Sequence, residues 1–395
     1  MMVRGFWFFR TLRVGMARTL FWISAAAVFY TFIGYPVVVW LLARFAGRRV
    51  RKADLNAHVS VVIACHNEAG TIEARIKNLV EADYPPDLLE IIIVSDGSTD
   101  RTEKLARRLA SPRVRVIAYP ARRGKAAALN LGVANAKGDI ILFGDARQTF
   151  EPDAIRRLVA NFADERVGAV SGAYLLNKGA NASVGESVGF YWKYEEWIRK
   201  NEGRLNSVVG AAGAIYAIRR ELWRPVPEGT ILDDVYTPMR IALGGHRIVF
   251  EERALARDIW TGTAGREFSR KVRTLTGNYQ LCQLMPRLLL PTYGLFFQFF
   301  SHKLMRLAAP FFLMLLLVTN LIIGGEQVFY SLCLAGQVAF YAGVVTGGVL
   351  AKRNRKVRLL NVAYIFSVMN AAALVGLFYF IRGKRDVWAV NDKQI

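Results

Sequence analysis

The chain has 395 residues, 53% of them hydrophobic, and a mean hydropathy of +0.23, which argues against a wholly soluble protein. Its formal charge of +22 would suit a nucleic-acid partner, but the bases gather beside apolar stretches, at Arg44, Arg48, Arg49, Arg51 and Lys52 and again at Lys352, Arg353, Arg355, Lys356 and Arg358. That is how cytoplasmic loops of membrane proteins are charged, so a lipid bilayer is expected as a partner and nucleic acid is not.

In chain order, residues 1–18 read as a short basic tail and 19–45 as the first membrane span, since about 20 mostly apolar residues suffice to cross a bilayer. This stretch is too long for a signal peptide, contains Tyr30, Tyr35 and Pro36, and has no small-residue cleavage site after it; it is expected to be a retained anchor. From His58 the pattern changes to short apolar runs separated by charged helical segments. "HVSVVIACHNEAGTIEARIKNLV" is a buried strand, a polar turn and a helix, and "LEIIIVSDGSTDRTEKLARRLA" repeats it. "VRVIAYP" and "DIILFGDARQ" are two further strands around the helix "GKAAALNLGVANAKG". Strands and helices in alternation predict an α/β domain with a mostly parallel central sheet over 58–285, with ligands beyond the carboxyl ends of the strands.

The turns at those ends carry Glu68, then Asp96 and Asp100, then Asp145 and Arg147. Turn acids often only cap helices, and Asp100 is assigned that role. Asp96 ends a buried run and precedes a glycine that permits close approach to the backbone, so it is a candidate for ligand contact. Further along, the aromatics Tyr191, Trp192, Tyr194 and Trp197 fall at helical spacing, which favours packing over a sugar channel. Gly210, Ala211, Ala212 and Gly213 leave room for a substrate beside the backbone. Residues 286–306, with prolines, aromatics and bases, suit helices lying in the membrane interface. Three more spans follow at 307–324, 327–350 and 360–381, then a tail at 382–395. The short Gly325-Glu326 link between the second and third spans has no basic residue and is placed outside, which puts the central domain and the loop at 351–358 in the cytoplasm and both tails outside. Gly343 and Gly347 are spaced for close helix packing.

Three well-separated cysteines (Cys65, Cys282, Cys333) and four scattered histidines give neither a disulfide framework nor a zinc site. "GESVG" at 185–189 has the spacing of a hydrolase nucleophile but no apolar strand before it. The glycosylation sequon at Asn181 would face the cytoplasm and go unused.

"VSVVIACHNEAGTI", "IIIVSDGSTDRT", "GKAAALNLG" and "GDIILFGDA", followed by "TILDDVYTPMRIALGGHRIVFEERALA" and "REFSRKVRTLTGN", resemble in order the motifs of family 2 glycosyltransferases of the membrane-integrated type, the synthases of cellulose, hyaluronan and poly-N-acetylglucosamine. The resemblance covers roughly 58–285 and the membrane helices. It implies a GT-A-type nucleotide-sugar-binding domain and a bacterial inner-membrane enzyme whose donor is a UDP-sugar and whose acceptor is a saccharide or a lipid. Export or accessory proteins are partners that it allows.

Position by position, the resemblance implies that Asp96 contacts the uridine, with Ser95 where many members have another acid, and that Lys125 lies close to the nucleotide. Asp145 matches the first acid of an Asp-x-Asp motif and implies a bound Mg2+ or Mn2+. Asp234 matches the general base and Asp233 the acid before it. Arg270, Arg273 and Thr274 stand where the family has Gln-x-x-Arg-Trp. Glu68 and Arg147 join the donor group, and Gly210, Ala211, Gly213, Asp233 and Thr274 the acceptor group.

The chemistry asks for these residue types. An acceptor hydroxyl attacking an anomeric carbon must lose a proton to a carboxylate, worth about 100- to 10,000-fold, and the departing diphosphate must be neutralised by a metal or fixed cations. Attack on one face and departure from the other implies inversion. Taken alone, "LDDV" is equally well a helix start favoured by the dipole, and "SRKVR" a basic face at the membrane surface; the order of motifs favours function for both. Arg147, in place of a second metal ligand, leaves three roles open: a bystander to magnesium that needs only one acid, a direct phosphate partner, or a clamp on Asp145. Processive synthesis of poly-N-acetylglucosamine type is the leading expectation. Transfer of one sugar to a lipid carrier is the alternative, favoured by Thr274 in place of the stacking tryptophan, and a non-catalytic membrane partner is a third.

Overall fold

The computed structural model describes residues 2–177, 182–259, 264–353 and 357–383. The sequon at Asn181, the loop bases Arg355 and Lys356, and the tail from 384 onward lie outside the described residues.

The strands are β1 (Val59–Cys65), β2 (Leu89–Asp96), β3 (Val114–Tyr119), β4 (Ile140–Gly144), β5 (Thr149–Phe150), β6 (Val167–Asn177), β7 (Ile215–Arg219) and β8 (Arg247–Ile259). They form one eight-stranded sheet in the order β3-β2-β1-β4-β7-β6-β8-β5. The first half is parallel, as the alternation of strand and helix dictates, and β6 pairs with β8 in parallel; β7 runs against both β4 and β6, and β5 against β8. The expected mostly parallel α/β sheet is thus present, with an antiparallel strand at its centre.

The helices are α1 (Met2–Phe29), α2 (Tyr35–Ala46), α3 (Ile72–Val80), α4 (Thr102–Arg108), α5 (Lys125–Ala134), α6 (Ala154–Val159), α7 (Ala182–Leu205), α8 (Asp233–Leu243), α9 (Ala264–Leu284), α10 (Phe296–Gln298), α11 (Met305–Ile323), α12 (Val328–Lys352) and α13 (Arg358–Ile381). Period-two alternation in the strands sends side chains to opposite faces. Val61, Ile63, Ile91, Ile93 and Leu142 pack with Ile72, Ile76 and Leu79 of α3 and Ile155 and Leu158 of α6. Val62, Ile92, Val94, Ile141 and Phe143 pack with Leu129 and Val133 of α5, Met239 of α8 and Leu281 of α9.

Among the described residues, four helical stretches are long and apolar enough to cross a membrane: Leu12–Ala46, Phe296–Ile323, Val328–Ala351 and Arg358–Ile381. The first helix begins at Met2, inside the expected tail. After a 3-10 turn at Pro286–Leu289, α10 runs through a π turn (Phe299–Leu304) straight into α11. Residues 296–306 of the stretch expected in the interface are thus continuous with the apolar helix that follows. A Cβ on Gly347 would stand 2.6 Å from the Leu360 carbonyl oxygen, so α12 and α13 approach as closely as that small-residue spacing anticipates.

Candidate active site

Register brings the motif turns together. Cys65 pairs with Ser95 and Ile63 with Gly144, so the carboxyl ends of β1, β2 and β4 share one edge. Because β7 is antiparallel to β4, its first residue, Ile215, lies opposite Gly144, and the loop of Gly210–Gly213 that precedes it arrives at the same edge.

The Asp145 turn rests on a buried arginine. Arg75 of α3 is 2% exposed; its guanidinium lies 3.8 Å from the Phe150 ring centre and bonds Asn78. A Cβ on Gly144 would stand 2.8 Å from this guanidinium and 3.0 Å from the Phe150 ring, which is why β4 ends in glycine. Burial lowers the Arg75 pKa to about 9 against the pull of Asp145; a cation kept there despite that cost adds positive potential behind the turn.

In front of it, Lys125, the first residue of α5, donates to Asp145 Oδ1 at 3.0 Å and stands 3.6 Å from Asp233 Oδ2. Burial alone would lower the lysine pKa, yet Asp145, Asp233 and Asp234 together raise it. Burial would raise Asp145, but Lys125, Arg147 and Arg273 hold it below the usual value. Asp233 and Asp234 open α8, and the Ala211 N–H donates to the Asp234 carbonyl at 2.8 Å. A Cβ on Gly213 would be 2.7 Å from Asp234 Oδ2, and Gly210, at φ +102°, packs on Val235. Burial, and then the charge of Asp233, push the Asp234 carboxyl up to about 6. Arg273 of α9 is depressed by burial, with Asp234, Asp145 and Asp233 opposing. Beneath the cluster Tyr216 stacks on Phe143 at 4.7 Å, and its hydroxyl has no hydrogen-bond partner among the described residues.

The expected residues therefore divide. Lys125, Asp145, Asp233, Asp234 and Arg273 form one electrostatic cluster with Gly210, Ala211 and Gly213 against it. Glu68, bonded to Thr71 at 2.9 Å, and the exposed Arg147 border it; burial raises Glu68 while Arg147 lowers it. Asp96 also organises the loop before α5: its two oxygens accept the N–H groups of Arg123 and Gly124 at 2.7 and 2.8 Å, which fixes the entry to α5 and so Lys125. Gly97 serves the same loop, since a Cβ there would meet the Arg122 nitrogen at 2.4 Å. The Ser95 hydroxyl is turned to Ser98 at 2.9 Å. Asp100 accepts from the Thr102 N–H at the start of α4, as a cap should. Arg270 lies 5.9 Å from the Trp192 ring centre, whereas Arg273 faces the aspartates, and Thr274 bonds its own helix at the Arg270 carbonyl, 3.0 Å.

Sequence reasoning passed over Arg75 and Tyr216, and it read the aromatic stripe of α7 that includes Trp192 as packing. Arg75 sits among apolar positions of an amphipathic helix, the one readable sign.

Among the described residues no group of three or more His, Cys, Asp or Glu is placed to hold a metal. Asp145 does offer a carboxylate whose side chain is 36% exposed, and magnesium is often held by one or two carboxylates with phosphate and water completing its shell. The donor set fits a cation that arrives with a diphosphate.

Residues 60–224 match the family model described as glycosyl transferase family 2. The probable glycosyltransferase YdaM of Bacillus subtilis (strain 168) is 31% identical over 208 residues, 50% of this chain and 49% of that protein. Poly-beta-1,6-N-acetyl-D-glucosamine synthase of Staphylococcus aureus (strain MSSA476) is 26% identical over 268 residues, 62% of this chain and 64% of that one. The matches thus span about half to two-thirds of these relatives' length. The structure of the mannosyltransferase PcManGT from Pyrobaculum calidifontis, in complex with GDP-Man and Mn2+, superimposes with a TM-score of 0.70 at 22% identity, over 92% of this chain and 99% of that one, a likeness of fold. With its GT-A-like sheet and, among the described residues, four helices apolar enough to cross a membrane, this chain carries a family 2 glycosyltransferase domain over residues 60–224.

Proposed function

We propose that the protein is an inverting glycosyltransferase of a bacterial inner membrane, moving a sugar from a UDP-sugar to an acceptor hydroxyl on the cytoplasmic side. The observation that carries this is the meeting of Asp234, whose carboxyl is pushed up to about 6, with Lys125, Asp145 and Arg273. A base with a pKa near the working pH beside fixed cations is what hydroxyl attack and diphosphate departure need.

Asp234 takes the proton of the attacking hydroxyl. Lys125 and Arg273 draw the departing diphosphate, with Arg147 at the rim on the same side. Asp96 holds the Arg122–Gly124 loop beside the nucleotide and so sets Lys125. Asp145, with the donor's own phosphates, would hold Mg2+ or Mn2+, which supplies further charge neutralisation. The Gly210–Gly213 loop packs against Asp234 and Val235 and so sets the position of the base.

Processive synthesis of poly-N-acetylglucosamine type is supported by the likeness to the Staphylococcus aureus synthase. Single transfer to a lipid carrier is the second reading, favoured by Thr274, whose hydroxyl is turned into its own helix and offers no stacking surface. Purified full-length protein in lipid is incubated with labelled UDP-sugars, with Mg2+, Mn2+ or chelator. A polymer ladder supports the first reading and one lipid adduct the second; full activity in chelator removes the metal from the site, and no transfer from any UDP-sugar overturns the proposal.

A further inference from the structure

Arg75 belongs to the candidate site without facing it. It lies on α3 beneath the end of β4, 2% exposed, and its Nη2 is 2.8 Å from where a Cβ of Gly144 would stand. The next residue along the chain is Asp145, whose charge reaches the guanidinium. Burial lowers the Arg75 pKa only to about 9, so the side chain is a cation at neutral pH.

Little in this position serves the arginine itself. Its Nη1 donates to Asn78 Oδ1 at 2.9 Å, but Nε and Nη2 are buried with no hydrogen-bond partner among the described residues. The Phe150 ring, 3.8 Å from the guanidinium carbon, compensates part of the lost hydration. Nor does the turn depend on Arg75 for its bonds. Asn78 accepts the Phe150 N–H and donates to the Phe150 carbonyl, both at 2.9 Å, and so ties α3 to the strand after Asp145 by itself. A buried cation with unpaired donors costs stability.

That cost has a counterpart in front of the turn. Lys125 donates to Asp145 at 3.0 Å, and Arg147 and Arg273 add their charges around the same carboxylate. A charge in the core is screened less than one at the surface, so Arg75 acts on this point through space. It repels a divalent cation at Asp145 and attracts a diphosphate.

We infer that Arg75 makes metal binding at Asp145 conditional on the diphosphate of the donor. It is a positioning residue, acting through the field at Asp145 and touching neither ligand. The inference rests on the glycosyl-transfer reading and deepens it, since the metal then enters with the nucleotide sugar and not before it.

The test uses full-length protein in nanodiscs. Mn2+ alone is titrated by loss of the free-ion paramagnetic signal, and UDP in chelator by calorimetry. The part of the Mn2+ binding that is lost in Asp145→Asn reports the site. Wild type is expected to bind Mn2+ about tenfold or more tightly once UDP is present. Arg75→Met, of similar length, and Arg75→Gln, which can still donate to Asn78, remove the charge. Both are expected to bind Mn2+ alone about tenfold more tightly than wild type, and UDP without metal about threefold or more weakly. Shifts of opposite sign mark a charge, whereas a packing role would weaken both ligands together. Arg75→Met should also melt no lower than wild type. An Mn2+ affinity that is level or weaker in both neutral variants overturns the inference, as does a wild type whose Mn2+ affinity ignores UDP. A wild type that neither binds UDP nor transfers a sugar instead defeats the reading of the preceding section.

Discussion

Asp234 gives up its proton later than a surface aspartate because burial and the charge of Asp233 both oppose ionisation. As the base it must be ionised, so kcat/KM is expected to rise tenfold per pH unit below about 6 and to level above it. Asp234→Asn should cost about 100- to 10,000-fold in kcat and abolish that limb, as pH profiles of donor turnover would show. The sign for stability is the reverse. A carboxyl whose folded pKa is raised contributes stability at low pH that is lost as pH rises through about 6. Asp234→Asn at pH 7.5 should therefore melt no lower than wild type, and a lower Tm would show that the ionised carboxylate holds the fold together.

At the scale of elements, α9 carries Arg273 into the site and is held from behind by a membrane helix. A Cβ on Gly376 of α13 would stand 3.1 Å from the Thr276 nitrogen, and Thr276 Oγ1 donates to the Gly376 carbonyl at 3.3 Å. Thr276 is less than one turn beyond Arg273, so α13 is the backstop of the arginine proposed to draw the diphosphate. Gly376→Leu is expected to displace α9 and raise the donor KM about tenfold or more, whereas Gly376→Ala, which meets the neighbour near contact distance, should be far milder; equal effects would disprove the backstop. This level also marks the limit of what the sequence reveals. The parallel βα units and the motif turns were legible because each is local: a strand, its turn and its helix lie within some twenty residues and share one period. The antiparallel placement of β7, which delivers Gly210–Gly213 to the Asp145 edge, depends on pairing between segments far apart in sequence. Asp96 and Gly97 were legible as special, but their contacts with Arg122–Gly124 were not, since those are set by tertiary packing. The aromatic spacing of α7 reads as packing, which it is for Tyr194, bonded to the Phe32 carbonyl at 2.7 Å.

At the scale of the whole molecule, a polar chain joins the catalytic unit to the apolar helices. Tyr35 of α2 donates to Glu202 of α7 at 2.5 Å, Glu202 meets His302 Nδ1 at 2.7 Å, His302 Nε2 meets Glu195 at 3.1 Å, and Arg306 of α11 bonds Glu195. These groups are mostly buried, so breaking one leaves partners unsatisfied. The chain fixes α7 to two of the apolar helices at once. It runs through one wide turn, Phe299–Leu304, and starts beside another, Tyr30–Gly34, and the two turns are bonded to each other by Tyr30 and Ser301 at 2.7 Å. A residue inserted into an α-helix rotates everything beyond it by about 100°. The Tyr30–Gly34 turn thus changes the phase of one continuous helix, so that α1 addresses α11 while α2 turns a different face to α7. Deleting a single residue from Tyr30–Gly34 should leave the helix as apolar and as well inserted as before, yet rotate Tyr35 off Glu202. Membrane fractionation would then find the protein in place and turnover lost, whereas retained turnover would show that the wide turn is only a local irregularity. A catalytic domain aimed by helical phase has its orientation written in the count of residues upstream of it, independently of what those residues are.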